Sequence, residues 1–155
     1  MNEAVTMAAT RDIVVDEVFP HTPQTIWQAL TQDALIARWV RMPTRGFEAV
    51  AGQRFTFETT SAGAWDGVIH CQVLEVSANQ RLVYSWKSGH AGNIGYGAEL
   101  DTVVTWTLSK AEGGTRVRLV HAGFVLPRNQ TAYAGMSEGW KSVVQRIDAI
   151  AAEQN

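Results

Sequence analysis

Apolar positions along this chain change period several times, and each change marks an element. Ile13, Val15 and Phe19 alternate with Val14, Asp16 and Val18, which predicts an opening strand ended by Pro20. Thr22 precedes Pro23, a pairing that fits a helix N-cap followed by proline in the first turn. Ile26, Trp27 and Leu30 then fall on one side of a short helix. Thr31 breaks it, and Asp33 opens a second short helix carrying Leu35, Ile36 and Trp39. Trp27 and Trp39 are expected to anchor the core, because an indole buries so much area.

A series of strands follows. Phe55 and Phe57 alternate with Arg54, Thr56 and Glu58, and Ser61–Gly63 reads as a turn. A long strand is predicted from Trp65 to Val76, with Trp65, Ile69, Cys71 and Val73 on one face. Leu74 and Val76 belong to the other face, so a bulge is expected near Gln72. After a turn at Asn79 and Gln80, Leu82, Tyr84 and Trp86 alternate with Val83, Ser85 and Lys87. The stretch Ser88–Ala98 holds Gly89, Gly92, Gly95 and Gly97 but no Walker lysine, so it is not a phosphate loop. It reads either as a flexible hairpin connection or as the rim of a cavity mouth. Val104, Trp106 and Leu108 alternate on the next strand, Glu112-Gly113-Gly114 turns the chain, and Val117, Leu119 and His121 alternate on the last. Gly123 to Pro127 reads as a linker.

Beyond it, Met136, Trp140, Val143, Ile147 and Ile150 recur at spacings of four, three, four and three, the stripe of an amphipathic helix. Glu138, Lys141, Gln145 and Asp148 take the opposite face. An amphipathic sheet and one striped helix must bury their apolar faces against each other. The predicted architecture is therefore α+β: a curved antiparallel sheet wrapped around a long C-terminal helix, with two short helices after the first strand.

Composition narrows the functional classes. The 155 residues, 46% apolar and 18% charged, suit a single globular domain over 11–155. Residues 1–10 read as a loose tail, with neither the basic start nor the apolar core of a signal peptide. A lone cysteine, Cys71, rules out an internal disulfide and a thiolate-rich metal site, and the cytoplasm is the expected compartment. No apolar run approaches the ~18 residues of a membrane span, so no membrane insertion is expected. Net charge is -2. Arg38, Arg41, Arg45, Arg116 and Arg118 make no basic stripe, and a nucleic-acid partner is not expected. His21, His70, His90 and His121 lie too far apart for a metal motif, and no cofactor is indicated.

The candidate cavity-facing residues are Phe55, Phe57, Tyr84, Trp86, Trp106, His121, Met136 and Trp140. Alternation gives the face they share and leaves open whether they line a pocket or fill it. His121, on the face of Val117 and Leu119, would either point an imidazole into the cavity to orient a ligand or act as an acid or base, or have its nitrogens satisfied near the strand end. Tyr84 would either point its hydroxyl into an otherwise apolar pocket or stand as a core aromatic with a wet tip. No carboxylate pair and no nucleophile elbow appear, Cys71 reads as an inert buried thiol, and no catalytic residue is assigned.

Several segments resemble a known family. "VFPHTPQTIWQALT" looks like its first strand-to-helix turn, "LIARWV" its second helix, and "WDGVIHCQVLEVSANQRLVYSW" its central hairpin. "GGTRVRLVHAGF" followed by "GMSEGW" resembles its last strand and the start of its long helix. The family is that related to the C-terminal domain of the activator of Hsp90 ATPase, within the START and birch-pollen-allergen (SRPBCC) superfamily of helix-grip folds. The resemblance implies a cavity between helix and sheet for a small hydrophobic ligand: a lipid, a polyketide or an aromatic metabolite. It also implies two alternatives, a cavity enzyme of cyclase or hydrolase type and a stress-related co-chaperone or interaction module. A chaperone partner is the weaker expectation, since the eukaryotic activators add a separate N-terminal domain for much of that contact. Open edge strands offer a route to a homodimer.

Overall fold

The computed structural model describes residues 9–154. β1 (Ala9–Phe19) leads into α1 (Pro23–Thr31) and α2 (Asp33–Val40). Then come β2 (Thr44–Arg45), β3 (Arg54–Glu58), β4 (Val68–Ser77), β5 (Arg81–Ser88), β6 (Leu100–Ala111), β7 (Gly114–Leu126) and α3 (Gln130–Glu153). The strands form one curved sheet in the order β1-β7-β6-β5-β4-β3-β2, every neighbouring pair antiparallel. From β2 to β7 the chain meanders, and only β1 departs from sequence order by pairing with β7. Among the described residues no helix is long and apolar enough to cross a membrane.

The start of α1 follows the sequence signals. Thr22 is extended, its hydroxyl accepts from the Thr25 amide at 3.2 Å, and Pro23 opens the first turn. Thr22→Ala is expected to cost about 1 kcal/mol, read as a lowered urea midpoint. An unchanged midpoint would mean that Pro23 alone sets the helix start. Trp39 is buried, and its indole N–H donates to the Ala29 carbonyl at 2.8 Å, locking α2 to α1. Trp27 is only half-buried and packs on the margin of the core rather than within it.

The alternation of β6 and β7 translates directly into burial. Val104, Trp106, Leu108, Val117, Leu119 and His121 all face inward. The α3 stripe meets them: Trp140, Val143, Ile147 and Ile150 are buried, joined by Val144 and Ala151. Met136, one turn nearer the N-terminus, is half-buried.

Three further expectations are corrected. β4 begins at Val68, because Gly67 adopts φ +86° and detaches Trp65, which pairs back on Ala62 in an isolated bridge. The bulge in β4 lies at Leu74 rather than Gln72. The segment Gly123–Pro127 is strand as far as Leu126. There a bulge at Gly123, with φ +104°, shifts the inward phase by one residue, so that Phe124 is buried after His121. Of the expected tail, residues 1–8 lie outside the described residues, while Ala9 and Thr10 already pair with Leu126 and Val125.

Candidate functional site

Where α3 crosses the sheet, aromatic rings interlock in a knot within the core. Trp39 meets Trp106 with centroids 5.5 Å apart, Trp106 meets Trp140 at 5.8 Å, and Trp140 meets Trp86 at 5.9 Å. His121 lies within this knot with no exposed surface. The Trp140 indole N–H donates to His121 Nδ1 at 2.9 Å. The imidazole proton therefore sits on Nε2 and is donated to Thr102 Oγ1 at 2.7 Å. The Thr102 hydroxyl passes the chain on to the Trp86 carbonyl at 3.0 Å. Burial holds the His121 pKa down to about 3, so the ring is neutral near pH 7 and neither nitrogen is free.

Tyr84 is engaged in the same manner. Its hydroxyl accepts the Trp106 indole N–H at 3.1 Å, and burial pushes the phenol well above its ordinary pKa. With Phe55 and Phe57 it borders a small void, closed off by Trp39 and Phe47, that admits no water. Cys71 is buried and its thiol is likewise pushed up by desolvation, the state of an unreactive core sulfur.

An open cavity of about 260 Å³ lies beside this packed knot, between α3 and the β4–β5 hairpin. Of the candidate residues, Trp86, Met136 and Trp140 line it. Phe55, Phe57 and Tyr84 border the closed void instead, and Trp106 and His121 line neither space. Period-two alternation tells which face of a strand is inward; it carries no information about where along that face the packing fails to close.

Other contributors were not singled out from sequence. Val40 and Met42 enter from the end of α2, Trp65 from the loop before β4, Tyr96 from the glycine-rich loop, and Gly139 and Arg146 from α3. Nothing in the packing demands a glycine at Gly139, so its place at the cavity left no signal in the sequence. A Cβ built at Gly139 meets nothing within 4 Å. The glycine-rich loop serves as a rim and is tied down. The Tyr96 hydroxyl donates to the Thr60 carbonyl at 2.6 Å, Asn93 Nδ2 donates to the Ala62 carbonyl at 2.6 Å, and the Tyr96 ring packs on Trp65 at 5.8 Å.

Roomier recesses of about 640 and 540 Å³ lie at the β4–β5 turn and around His70, Lys87 and His90. Neither draws any wall from α3. Among the described residues no three His, Cys, Asp or Glu side chains converge to hold a metal ion.

A sequence model of the family described as Activator of Hsp90 ATPase homolog 1-like protein matches residues 20–152. The chain belongs to this family. Protein MLL2253 from Mesorhizobium loti is 32% identical to it, with a TM-score of 0.80 over 94% of this chain and 99% of that one. Two more distant structures share the fold alone. BH1534 from Bacillus halodurans is 21% identical, with a TM-score of 0.70 over 94% of this chain and 99% of that one. CalU16 from Micromonospora echinospora is 19% identical, with a TM-score of 0.68 over 94% of this chain and 78% of that one. No curated protein matches the sequence.

In this Activator of Hsp90 ATPase homolog 1-like chain, the cavity wall is apolar and aromatic with a few polar groups. One lining side chain is unusual. Trp86 lines the cavity, yet its Nε1 is the only buried side-chain nitrogen or oxygen among the described residues without a hydrogen-bond partner. An unmet buried donor costs about 1–3 kcal/mol.

Proposed function

We propose that the protein binds a small, largely apolar molecule in the cavity between α3 and the β4–β5 hairpin. The 260 Å³ opening itself carries this reading, because it interrupts an interior that is otherwise closed by interlocked rings. Its size falls just under the range of roughly 300–1,000 Å³ that houses drug-sized ligands. A single-ring aromatic or a medium-length acyl chain suits it better than a sterol. The unmet Trp86 N–H offers an acceptor-bearing ligand a further gain if the wall yields toward it.

Binding is favoured over acid–base catalysis by what the histidine and tyrosine do. Both His121 nitrogens are spent on Trp140 and Thr102, the Tyr84 hydroxyl faces Trp106, and neither side chain lines the cavity. A cyclase or hydrolase working there would need another proton donor.

Gly139→Leu supplies a clean test. The new side chain enters open space at the cavity, while the helix gains about 0.5–1 kcal/mol from losing a glycine. Indole and octanol serve as neutral probes, followed by heteronuclear NMR. In the wild type, shifts are expected to cluster on Trp65, Trp86, Met136 and Trp140. In Gly139→Leu they are expected to vanish, with the melting temperature held or raised. Shifts confined to the outer face of the sheet, or unchanged by Gly139→Leu, would move the binding site elsewhere.

A further inference from the structure

We infer that the ligand is an anion, a small apolar molecule ending in a carboxylate that Arg146 receives. The inference rests on the cavity reading above and names the chemistry of its occupant.

Arg146 is half-buried in the cavity wall. Its Nε–H donates to the Trp39 carbonyl in the last turn of α2 at 2.9 Å, which fixes the plane of the guanidinium. That bond uses one of five donors. The Nη hydrogens have no protein partner among the described residues, and they form the end-on fork that matches a planar carboxylate.

Arg146 has no carboxylate partner; Arg11, Arg54 and Arg128 also join no ion pair among the described residues, whereas several other arginines are neutralised. Arg38 pairs with Glu153, Arg45 with Glu58, Arg81 with Glu75, and Arg116 and Arg118 with Asp16. Arg146 joins no ion pair among the described residues, and the cavity wall contains no aspartate or glutamate. The charge that acts on it is another cation, Arg41, and desolvation together with Arg41 lowers its pKa. Arg41 is also outside every ion pair among the described residues. It sits between Val40 and Met42, which both line the cavity, and a left-handed cap with φ 58° sets its backbone. Two unneutralised guanidinium groups beside an apolar cavity place a positive potential where a ligand would enter. An anionic head at Arg146 with its apolar body against Trp86, Met136 and Trp140 satisfies both halves of the site.

Capping α2 is a structural role that Arg146 performs in any case, so the test must read charge preference rather than stability. Calorimetric titrations compare 3-phenylpropanoic acid with 3-phenylpropanol, and octanoate with octanol, on the wild type, Arg146→Gln and Arg146→Lys. Glutamine retains an N–H for the Trp39 carbonyl and removes the charge. The wild type is expected to bind each acid about tenfold or more tightly than its alcohol. Arg146→Gln is expected to erase that preference, and Arg146→Lys to restore part of it. Equal affinity of the wild type for acid and alcohol overturns the anion assignment while leaving the cavity reading intact. An acid preference that survives Arg146→Gln, with only a lower melting temperature, likewise leaves Arg146 as a cap and nothing more. If neither acids nor alcohols bind, and Gly139→Leu behaves as the wild type does, the cavity reading itself fails.

Discussion

Trp140→Ala is expected to destabilise the fold by about 3–5 kcal/mol, a large part of the 5–15 kcal/mol that typical domains possess. The indole is wedged between Trp86, Trp106 and His121, with centroid distances of 5.9, 5.8 and 5.7 Å. Its loss would open a space that aromatic neighbours from three different strands cannot collapse to fill. It would also strip His121 Nδ1 of its only donor. Trp140→Phe separates the two effects. It keeps a ring in place but leaves the nitrogen unmet, at a cost of about 1–3 kcal/mol. Urea unfolding of the two variants gives both values. A Trp140→Ala protein within about 1 kcal/mol of the wild type would mean that the rings repack and the knot is not the keystone.

Acid weakens the fold through His121. In the unfolded chain this imidazole takes its proton near pH 6.5; in the native state burial delays protonation to about pH 3. Between those values the unfolded chain holds the extra proton, so stability rises with pH, by about 1.4 kcal/mol per unit for one such group. The contribution is complete above pH 6.5 and is lost as pH falls toward 3. Asp16, held down mainly by its hydrogen bond from Arg116, acts only below its ordinary value of 3.8 and leaves the upper part of the window to the histidine. Urea midpoints measured between pH 4.5 and 7 should therefore slope in the wild type and flatten in His121→Gln. A flat wild-type profile would show that the imidazole is reached by water or by a counter-charge.

Much of this fold was written in the periodicity. The alternation of Val104, Trp106 and Leu108 gives the buried face of β6, and the spacing from Trp140 to Ile150 gives the buried face of α3, because both depend only on local geometry. Thr22 and Pro23 fix the start of α1 for the same reason. Errors arose where glycine changes the local rule. Gly67 frees Trp65 from β4, and Gly123 rotates the inward phase of β7 onto Phe124. The cavity was legible only in part. Trp86, Met136 and Trp140 lie on the faces that alternation and the helical stripe mark as inward. Arg146 and Tyr96 reach the site because α3, α2 and the glycine-rich rim meet at one end of the sheet, a distance no spacing in the chain encodes.

The order of the elements has a consequence for synthesis on the ribosome. β2 to β7 can pair each with its predecessor as they emerge, but β1 must wait for β7, with Ala9 opposite Leu126 and Phe19 opposite Thr115. The helix that covers the inner face of the sheet, Gln130–Glu153, is translated after every strand. At roughly 5–20 residues per second, the nascent chain carries Trp86, Trp106 and Leu119 without their lid for some seconds. A polypeptide halted after Leu126 would contain every strand and still present a wet, adhesive sheet, so the commitment to a finished fold falls on the arrival of α3.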